Sequence, residues 1–121
     1  MTNNLTMLTD LYQLTMMNGY YKKGLHNNTA VFDIFFRKNV CDGGYTIICG
    51  IEEVVKYIEN LHYEDSDLEY LRSLNLFDED FLSFLKDFKF TGDIYAVEDG
   101  TVMFPGEPVL VVKAPLYQAQ L

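Results

Sequence analysis

Residues 9–24, Thr-Asp-Leu-Tyr-Gln-Leu-Thr-Met-Met-Asn-Gly-Tyr-Tyr-Lys-Lys-Gly, combine a polar start, an apolar body and a glycine stop. The pattern predicts one helix in which Thr9 is the N-cap and Asp10 lies in the first turn, where the helix dipole favours negative charge. Gly24 stands where a left-handed residue closes a helix. The body is apolar on nearly every side, which is typical of a helix that lies between layers or against a partner chain. The first helix therefore indicates that the domain belongs to a larger assembly.

The segment after this helix is predicted to form a β-hairpin. Residues 29–37 alternate as a strand, and residues 45–49 are β-branched and aromatic, as in a second strand. A loop of six residues, 39–44, carries turn glycines between them. Asp33 and Arg37 share the mixed face of the first strand, where two charged groups can pair or hold a ligand.

The rest of the chain divides into a helical part and a strand-rich part. Apolar residues at helical spacing predict amphipathic helices over residues 50–61, 67–74 and 79–88, the last two capped by Ser66 and Asp78. Short runs with turn glycines predict strands at 94–97, 101–104 and 107–113, in a small barrel-like region over 91–113. Residues 116–121 have the composition of a helix that the chain ends before completing. We therefore expect an α+β fold, with residues 1–121 as a single N-terminal domain or fragment of a longer protein.

Composition excludes several classes of function. The formal charge of −9 and the pI near 4.4 argue against binding to a nucleic-acid backbone, which needs clustered Lys and Arg. No apolar run approaches the ~20 residues of a membrane span, and the start has no leader pattern, so a cytoplasmic protein is expected. Cys41 and Cys49 fit no metal spacing and are expected to be reduced.

Motifs for self-contained catalysis are absent from the sequence. It has no phosphate-cradling glycine loop, no nucleophile elbow and no His-Glu-x-x-His, and His26 and His62 are expected to be solvated or to interact with a helix end. Its Gly-punctuated strands are similar to those of biotinyl and lipoyl carrier domains, but the turn at residues 98–100 is Glu-Asp-Gly and carries no lysine for a cofactor.

Two pairs of residues are candidates for binding. Asp10 and Tyr12 can project from the first turn of the first helix, beside its unpaired N–H groups. Arg37 and Lys38, at a strand end before a turn, form a basic pair that can contact an anion, since Arg grips a phosphate with two hydrogen bonds.

Several segments, taken in order, resemble the start of nicotinate phosphoribosyltransferases. They are Leu-Thr-Asp-Leu-Tyr-Gln-Leu-Thr-Met at 8–16, Phe-Asp-Ile-Phe-Phe-Arg-Lys-Asn at 32–39, Gly-Gly-Tyr at 43–45, and Glu-Asp-Gly-Thr at 98–101 through Pro-Gly-Glu-Pro at 105–108. Val40 departs from the family, which usually has proline there, and is expected to loosen the turn. Family members are also several times longer, and their catalytic barrel domain follows the part of the sequence seen here.

The resemblance implies an N-terminal domain of the nicotinate/quinolinate phosphoribosyltransferase type, α/β-hammerhead-like, with helices and a small antiparallel sheet or barrel. It implies an enzyme that makes nicotinate mononucleotide and pyrophosphate from nicotinate and phosphoribosyl pyrophosphate, in NAD salvage. ATP hydrolysis is coupled through a phosphorylated histidine of the barrel, which neither His26 nor His62 matches. ATP and Mg would serve the full-length enzyme, with no cofactor bound by these 121 residues alone.

The resemblance also implies a homodimer in which the N-terminal domain of one subunit completes the active site of the other. Asp10 and Tyr12 would lie at the base-binding end, Arg37 would contact phosphate, and Lys38 is a weaker candidate. These 121 residues alone are expected to be inactive. Two alternatives stay open: a non-catalytic interaction or regulatory module on the same scaffold, and a nicotinamide-using relative. Gln13 favours nicotinate over nicotinamide.

Overall fold

Helices and short antiparallel strands make up residues 4–121, the part of the chain that the computed structural model describes. In chain order the elements are α1 (Leu11–Lys22), β1 (Thr29–Ile34), β2 (Thr46–Ile47), α2 (Ile51–Glu59), α3 (Asp65–Ser73), α4 (Glu79–Lys86), β3 (Asp93–Ala96), β4 (Val102–Met103), β5 (Leu110–Pro115) and α5 (Leu116–Ala119). A single 3₁₀ turn, Val40–Asp42, lies between β1 and β2. The predicted α+β fold class is confirmed.

The main hydrophobic core lies between α1 and the helical pair α3 and α4. The apolar side chains that α4 was predicted to bury are all buried, because their spacing places them on one face of the helix. Tyr63, before α3, and Phe88, after α4, add two aromatic rings that meet edge to face. The buried residues of this core are Leu14, Met17, Tyr63, Leu68, Leu71, Phe77, Phe81, Leu82, Leu85 and Phe88.

The helix α1 is shorter at its start than the sequence predicts. Asp10, with extended backbone angles, is the N-cap in place of Thr9, so the expected position of Asp10 inside the first turn is wrong by one residue. The predicted stop is confirmed: Gly24 has a φ of +68°, and its N–H donates to Tyr21 O at 3.0 Å. The N–H of Leu25 donates to Tyr20 O at 2.9 Å, which completes a Schellman motif.

Two antiparallel sheets replace the predicted hairpin. The three-stranded sheet has the order β1-β5-β3, and β2 pairs with β4 in a separate two-stranded sheet. Thr29 lies opposite Pro115 and Ile34 opposite Leu110, so β1 pairs with the last strand of the chain. The predicted pairing of residues 29–37 with residues 45–49 is therefore wrong. The strand β1 also ends at Ile34, three residues before its predicted end.

Local residues begin two of the middle helices, and a long-range contact caps the third. The N-cap of α3 is Glu64, whose N–H donates to Asp67 Oδ2 at 2.9 Å, so the prediction of Ser66 as the cap is wrong. Asp78 is the N-cap of α4, as predicted. The helix α2 begins at Ile51, whose N–H donates to Asp99 Oδ1 at 3.0 Å. The Glu-Asp-Gly turn at residues 98–100 thus supplies a cap for a helix 48 residues away.

The strands of residues 91–113 are distributed over both sheets. β3 pairs with β5, while β4 pairs with β2 from outside this region. One face of β5 forms a second, smaller core from Leu110, Val112 and Ala114. Partly buried side chains that pack against this core are Val54, Phe90, Ile94 and Ala119.

The helices of residues 4–121 are short relative to a bilayer. None of them is long and apolar enough to cross a membrane. The thiols of Cys41 and Cys49 are both free and exposed.

Candidate functional site

The N-cap and the first turn of α1 present two candidate side chains to solvent. Asp10 is exposed, and its carboxylate caps no backbone N–H of α1. Tyr12 is 55% exposed, although it belongs to a helix whose Leu14 and Met17 are buried. The start of α1 therefore offers a carboxylate at the N-cap and an aromatic ring in the first turn, neither of which the packing of residues 4–121 requires.

A chain of side-chain hydrogen bonds connects Tyr12 to the end of α5. Gln13 Nε2 donates to Tyr12 Oη at 3.1 Å. Gln13 Oε1 accepts a hydrogen bond from Gln120 Nε2. Gln120 Oε1 in turn accepts one from Tyr20 Oη at 3.2 Å. The hydroxyl of Tyr12 is thus linked through Gln13 and Gln120 to the hydroxyl of Tyr20, further along α1.

Arg37 and Lys38 lie in an exposed bend after β1. The backbone on either side is anchored, because Gly106 N–H donates to Phe36 O at 2.9 Å and Thr46 Oγ1 donates to Asn39 Oδ1 at 3.0 Å. Neither cation takes part in an ion pair within residues 4–121. The Arg37 guanidinium and the Lys38 ammonium are thus both available to contact an external anion. Arg37 does not share a strand face with Asp33 as predicted, because the strand ends before it.

The two candidate pairs are not joined to each other in the described part of the chain. No hydrogen bond or ion pair there connects Asp10 or Tyr12 with Arg37 or Lys38. Cavities of about 430, 350 and 340 Å³ lie elsewhere, and none has any of the four as a lining residue. Residues 4–121 therefore present two separate sets of binding groups, and neither set lines any of these three cavities.

The two histidines occupy different environments. His62 is exposed near the end of α2, as expected, with Nδ1 2.6 Å from Asn60 O. His26 is half-buried, and its ring centroid lies 5.2 Å from those of Tyr21 and Phe84. The expectation of a solvated or helix-end residue is thus wrong for His26, which packs in an aromatic cluster.

The acidic side chains do not assemble a metal site. Residues 4–121 contain no group of three or more His, Cys, Asp or Glu side chains that could hold a metal ion.

A large part of the sheet surface is apolar and exposed. On β1, Val31 is 61% exposed and Ile34 is 53% exposed, so side chains from both faces of this edge strand reach solvent. Further exposed apolar side chains lie on or beside the strands of both sheets: Phe35, Tyr45, Ile47, Tyr95, Val102 and Phe104. Where such side chains form one continuous patch, another domain or chain commonly covers it.

Comparison with known proteins identifies the family. A family profile described as the nicotinate phosphoribosyltransferase (NAPRTase) N-terminal domain matches residues 7–121. The chain belongs to the nicotinate phosphoribosyltransferase family. It is 42% identical over 115 residues to nicotinate phosphoribosyltransferase pncB2 of Mycobacterium tuberculosis, and 40% identical over 119 residues to the nicotinate phosphoribosyltransferase of Bacillus subtilis.

The fold of this nicotinate phosphoribosyltransferase domain is also found in a solved structure. The crystal structure of human nicotinic acid phosphoribosyltransferase superposes with a TM-score of 0.83 at 31% identity and covers 93% of this chain. The match confirms the predicted fold type. The chain spans about a quarter of its relatives: 25% of the Mycobacterium protein, 24% of the Bacillus protein and 23% of the human chain.

The chain holds two polar residues that the sequence did not single out as part of a site. Gln120 contacts Gln13 across 107 positions of the chain, a separation that local patterns do not report. Tyr20 reaches Gln120 across 100 positions. The composition of residues 116–121 predicted a helix start but gave no signal for this contact.

Proposed function

We propose that this chain is the N-terminal domain of an enzyme that joins nicotinate to phosphoribosyl pyrophosphate, giving nicotinate mononucleotide and pyrophosphate. The observation that carries the proposal is the family match over residues 7–121, which includes every candidate binding residue. The names of the relatives from Mycobacterium and Bacillus, both nicotinate phosphoribosyltransferases, support nicotinate as the substrate.

Asp10 and Tyr12 are proposed to bind the pyridine substrate. A tyrosine that is 55% exposed at the start of a helix can contact a flat heterocycle, through its ring face or through its hydroxyl, without any change in the core. The carboxylate of Asp10 is free to accept a hydrogen bond or to orient a cationic partner, since it caps no backbone group of α1.

Arg37 is proposed to contact a phosphate of the phosphoribosyl donor, with Lys38 as a weaker second contact. The guanidinium matches a phosphate with two parallel hydrogen bonds, whereas the ammonium acts as a point charge. The anchored backbone around the bend supports this role, because a fixed backbone limits the entropy lost on binding.

The complete enzyme is proposed to be a homodimer in which this domain serves the active site of the neighbouring subunit. Two features support this: the two sets of binding groups are not enclosed by residues 4–121, and the sheet surface around Val31 and Ile34 is exposed and apolar. Coupling to ATP hydrolysis, with Mg, is proposed for the complete enzyme.

The test is a direct assay of nicotinate mononucleotide synthesis. The complete protein that carries this domain is expected to form the product from nicotinate, phosphoribosyl pyrophosphate and MgATP. The 121-residue chain alone is expected to form none. Product formed by the chain alone would contradict the proposal that catalysis needs residues outside these 121. Faster use of nicotinamide than of nicotinate by the complete protein would identify the nicotinamide-using alternative, and no turnover with either base would favour a non-catalytic module.

A further inference from the structure

The hydrogen bonds around Tyr12 run in one direction. Tyr20 Oη donates to Gln120, Gln120 Nε2 donates to Gln13, and Gln13 Nε2 donates to Tyr12 Oη. Each glutamine accepts at its oxygen and donates from its nitrogen. This order determines which part of the Tyr12 hydroxyl stays available, because a tyrosine hydroxyl has one hydrogen to donate and lone pairs that accept.

At Tyr12 the hydroxyl oxygen is occupied as an acceptor and its hydrogen remains available. No other residue of 4–121 takes a hydrogen bond from Tyr12 Oη. Hydrogen bonds in a series polarise one another, so a hydroxyl at the accepting end of such a series becomes a better donor. The available partner for that hydrogen is an acceptor oxygen outside the described chain.

We propose that Gln13, Gln120 and Tyr20 form a positioning relay that holds the Tyr12 hydroxyl as a hydrogen-bond donor to an acceptor oxygen of the pyridine substrate. The inference rests on the proposed function, in which Tyr12 lies at the base-binding end. It adds α5 to the binding apparatus: the helix sets the orientation of Tyr12 without touching the substrate. Gln120 and Gln13 are positioning residues, and Tyr12 is the residue that contacts the ligand.

The helix α5 also offers a structural glutamine for comparison. Gln118 is buried, and its Oε1 accepts from Thr91 N at 2.8 Å while its Nε2 donates to Lys89 O at 3.1 Å. These bonds join α5 to the loop before β3 and do not involve α1. A change at Gln118 thus disturbs packing without touching the relay, whereas a change at half-buried Gln120 removes the relay contact.

The experiment compares Gln120→Met with Gln118→Met in the complete enzyme. Methionine keeps the length of the side chain and removes the amide. Loss of the relay at Gln120 is expected to raise the KM for nicotinate about fivefold, the scale of one hydrogen bond, with little change in kcat or in the melting temperature. Gln118→Met is expected to lower the melting temperature and leave the KM for nicotinate unchanged. A KM that responds equally to both variants would overturn the relay.

A double-mutant cycle separates this inference from the proposed function. Tyr12→Phe removes the donor and is expected to raise the same KM by about fivefold. Combining Tyr12→Phe with Gln120→Met is expected to add nothing further, because the second change acts only through the hydroxyl that the first removes. If the two effects multiply, or if Tyr12→Phe raises the KM and Gln120→Met does not, the relay is wrong and the role of Tyr12 stands. If neither Tyr12→Phe nor Tyr12→Ala changes the KM, the proposed function of Tyr12 fails as well.

Discussion

Gly92 approaches Ala114 so closely that a Cβ atom built on Gly92 would lie 2.3 Å from the Cβ of Ala114. The same atom would lie 2.8 Å from the carbonyl oxygen of Lys113, which is backbone and cannot rotate away. The loop before β3 therefore crosses the central strand β5 at a distance that only glycine permits. This contact joins the helical core to the three-stranded sheet.

Gly92→Ala is expected to lower the free energy of unfolding by about 2 kcal/mol, because the backbone of β3 or β5 must shift to admit the methyl group. Chemical denaturation monitored by circular dichroism would measure the change. The matched control is Gly19→Ala, since a Cβ at Gly19 meets nothing within 4 Å. Gly19 lies inside α1, so its replacement is expected to raise the free energy of unfolding by about 0.5–1 kcal/mol. Equal effects of the two substitutions would contradict the close approach.

Tyr63→Phe is expected to leave the free energy of unfolding unchanged or to raise it by up to about 1 kcal/mol. Tyr63 is 5% exposed, and its hydroxyl has no hydrogen-bond partner among residues 4–121. Phenylalanine keeps the edge-to-face contact with Phe88 and removes the buried polar atom. A loss of more than about 1 kcal/mol in denaturant unfolding would show that the hydroxyl is satisfied in solution.

Alkaline pH gives a second measurement on Tyr63. Burial raises the pKa of its hydroxyl above the ordinary value of 10.0, and burial raises the pKa of Tyr57 in the same direction. The folded state thus favours the neutral form, so the contribution of Tyr63 is fully present below about pH 10 and is lost as pH rises further. The denaturation midpoint of the unsubstituted protein is expected to fall more steeply above that pH than the midpoint of Tyr63→Phe. Parallel curves for the two proteins would contradict this assignment.

Arg37→Ala in the complete enzyme is expected to raise the KM for phosphoribosyl pyrophosphate about tenfold or more, the scale of a charged hydrogen bond. The KM for nicotinate and the melting temperature are expected to change little, since Arg37 is exposed and forms no ion pair within residues 4–121. Lys23→Ala removes an exposed cation at the end of α1 and serves as the control for net charge. The same rise in both variants would indicate a general electrostatic effect and not a phosphate contact.

Local patterns in the sequence predicted the helices well. The helix α4 shows why: Phe81, Leu82 and Leu85 are spaced for one face, and all three are buried in the core. The end of α1 is a further case, because a glycine after an apolar helical run indicates a left-handed residue that ends the helix, as Gly24 does. Such features depend on neighbours within a few positions, which a single sequence displays.

The strand pairing could not be predicted in the same way. A turn cluster between two strand-like runs favours a hairpin, yet Cys41 and Asp42 there adopt positive φ values in a 3₁₀ turn, and β1 pairs with β5 from the other end of the chain. The cap that Asp99 supplies to Ile51 has the same origin in long-range contact. Sequence spacing carries no information about which distant strand or side chain completes such a contact.

The candidate site was predicted residue by residue and not as an assembly. Asp10, Tyr12, Arg37 and Lys38 are all exposed and available, but the described chain does not bring the two pairs into one cavity. The link from Tyr12 to Gln120 was not predictable either, because it depends on where α5 packs against α1.

The central claim is that the first turn of α1 forms part of a nicotinate site, and Tyr12→Ala in the complete enzyme tests it most directly. The matched control is Tyr70→Ala on α3, because Tyr70 is 57% exposed and Tyr12 is 55% exposed. The expected result is a loss of about tenfold or more in kcat/KM for nicotinate for Tyr12→Ala, because the whole contact of Tyr12 with the substrate is removed, with an unchanged melting temperature. A loss no larger than that of Tyr70→Ala, or one that appears only together with unfolding, would contradict the claim.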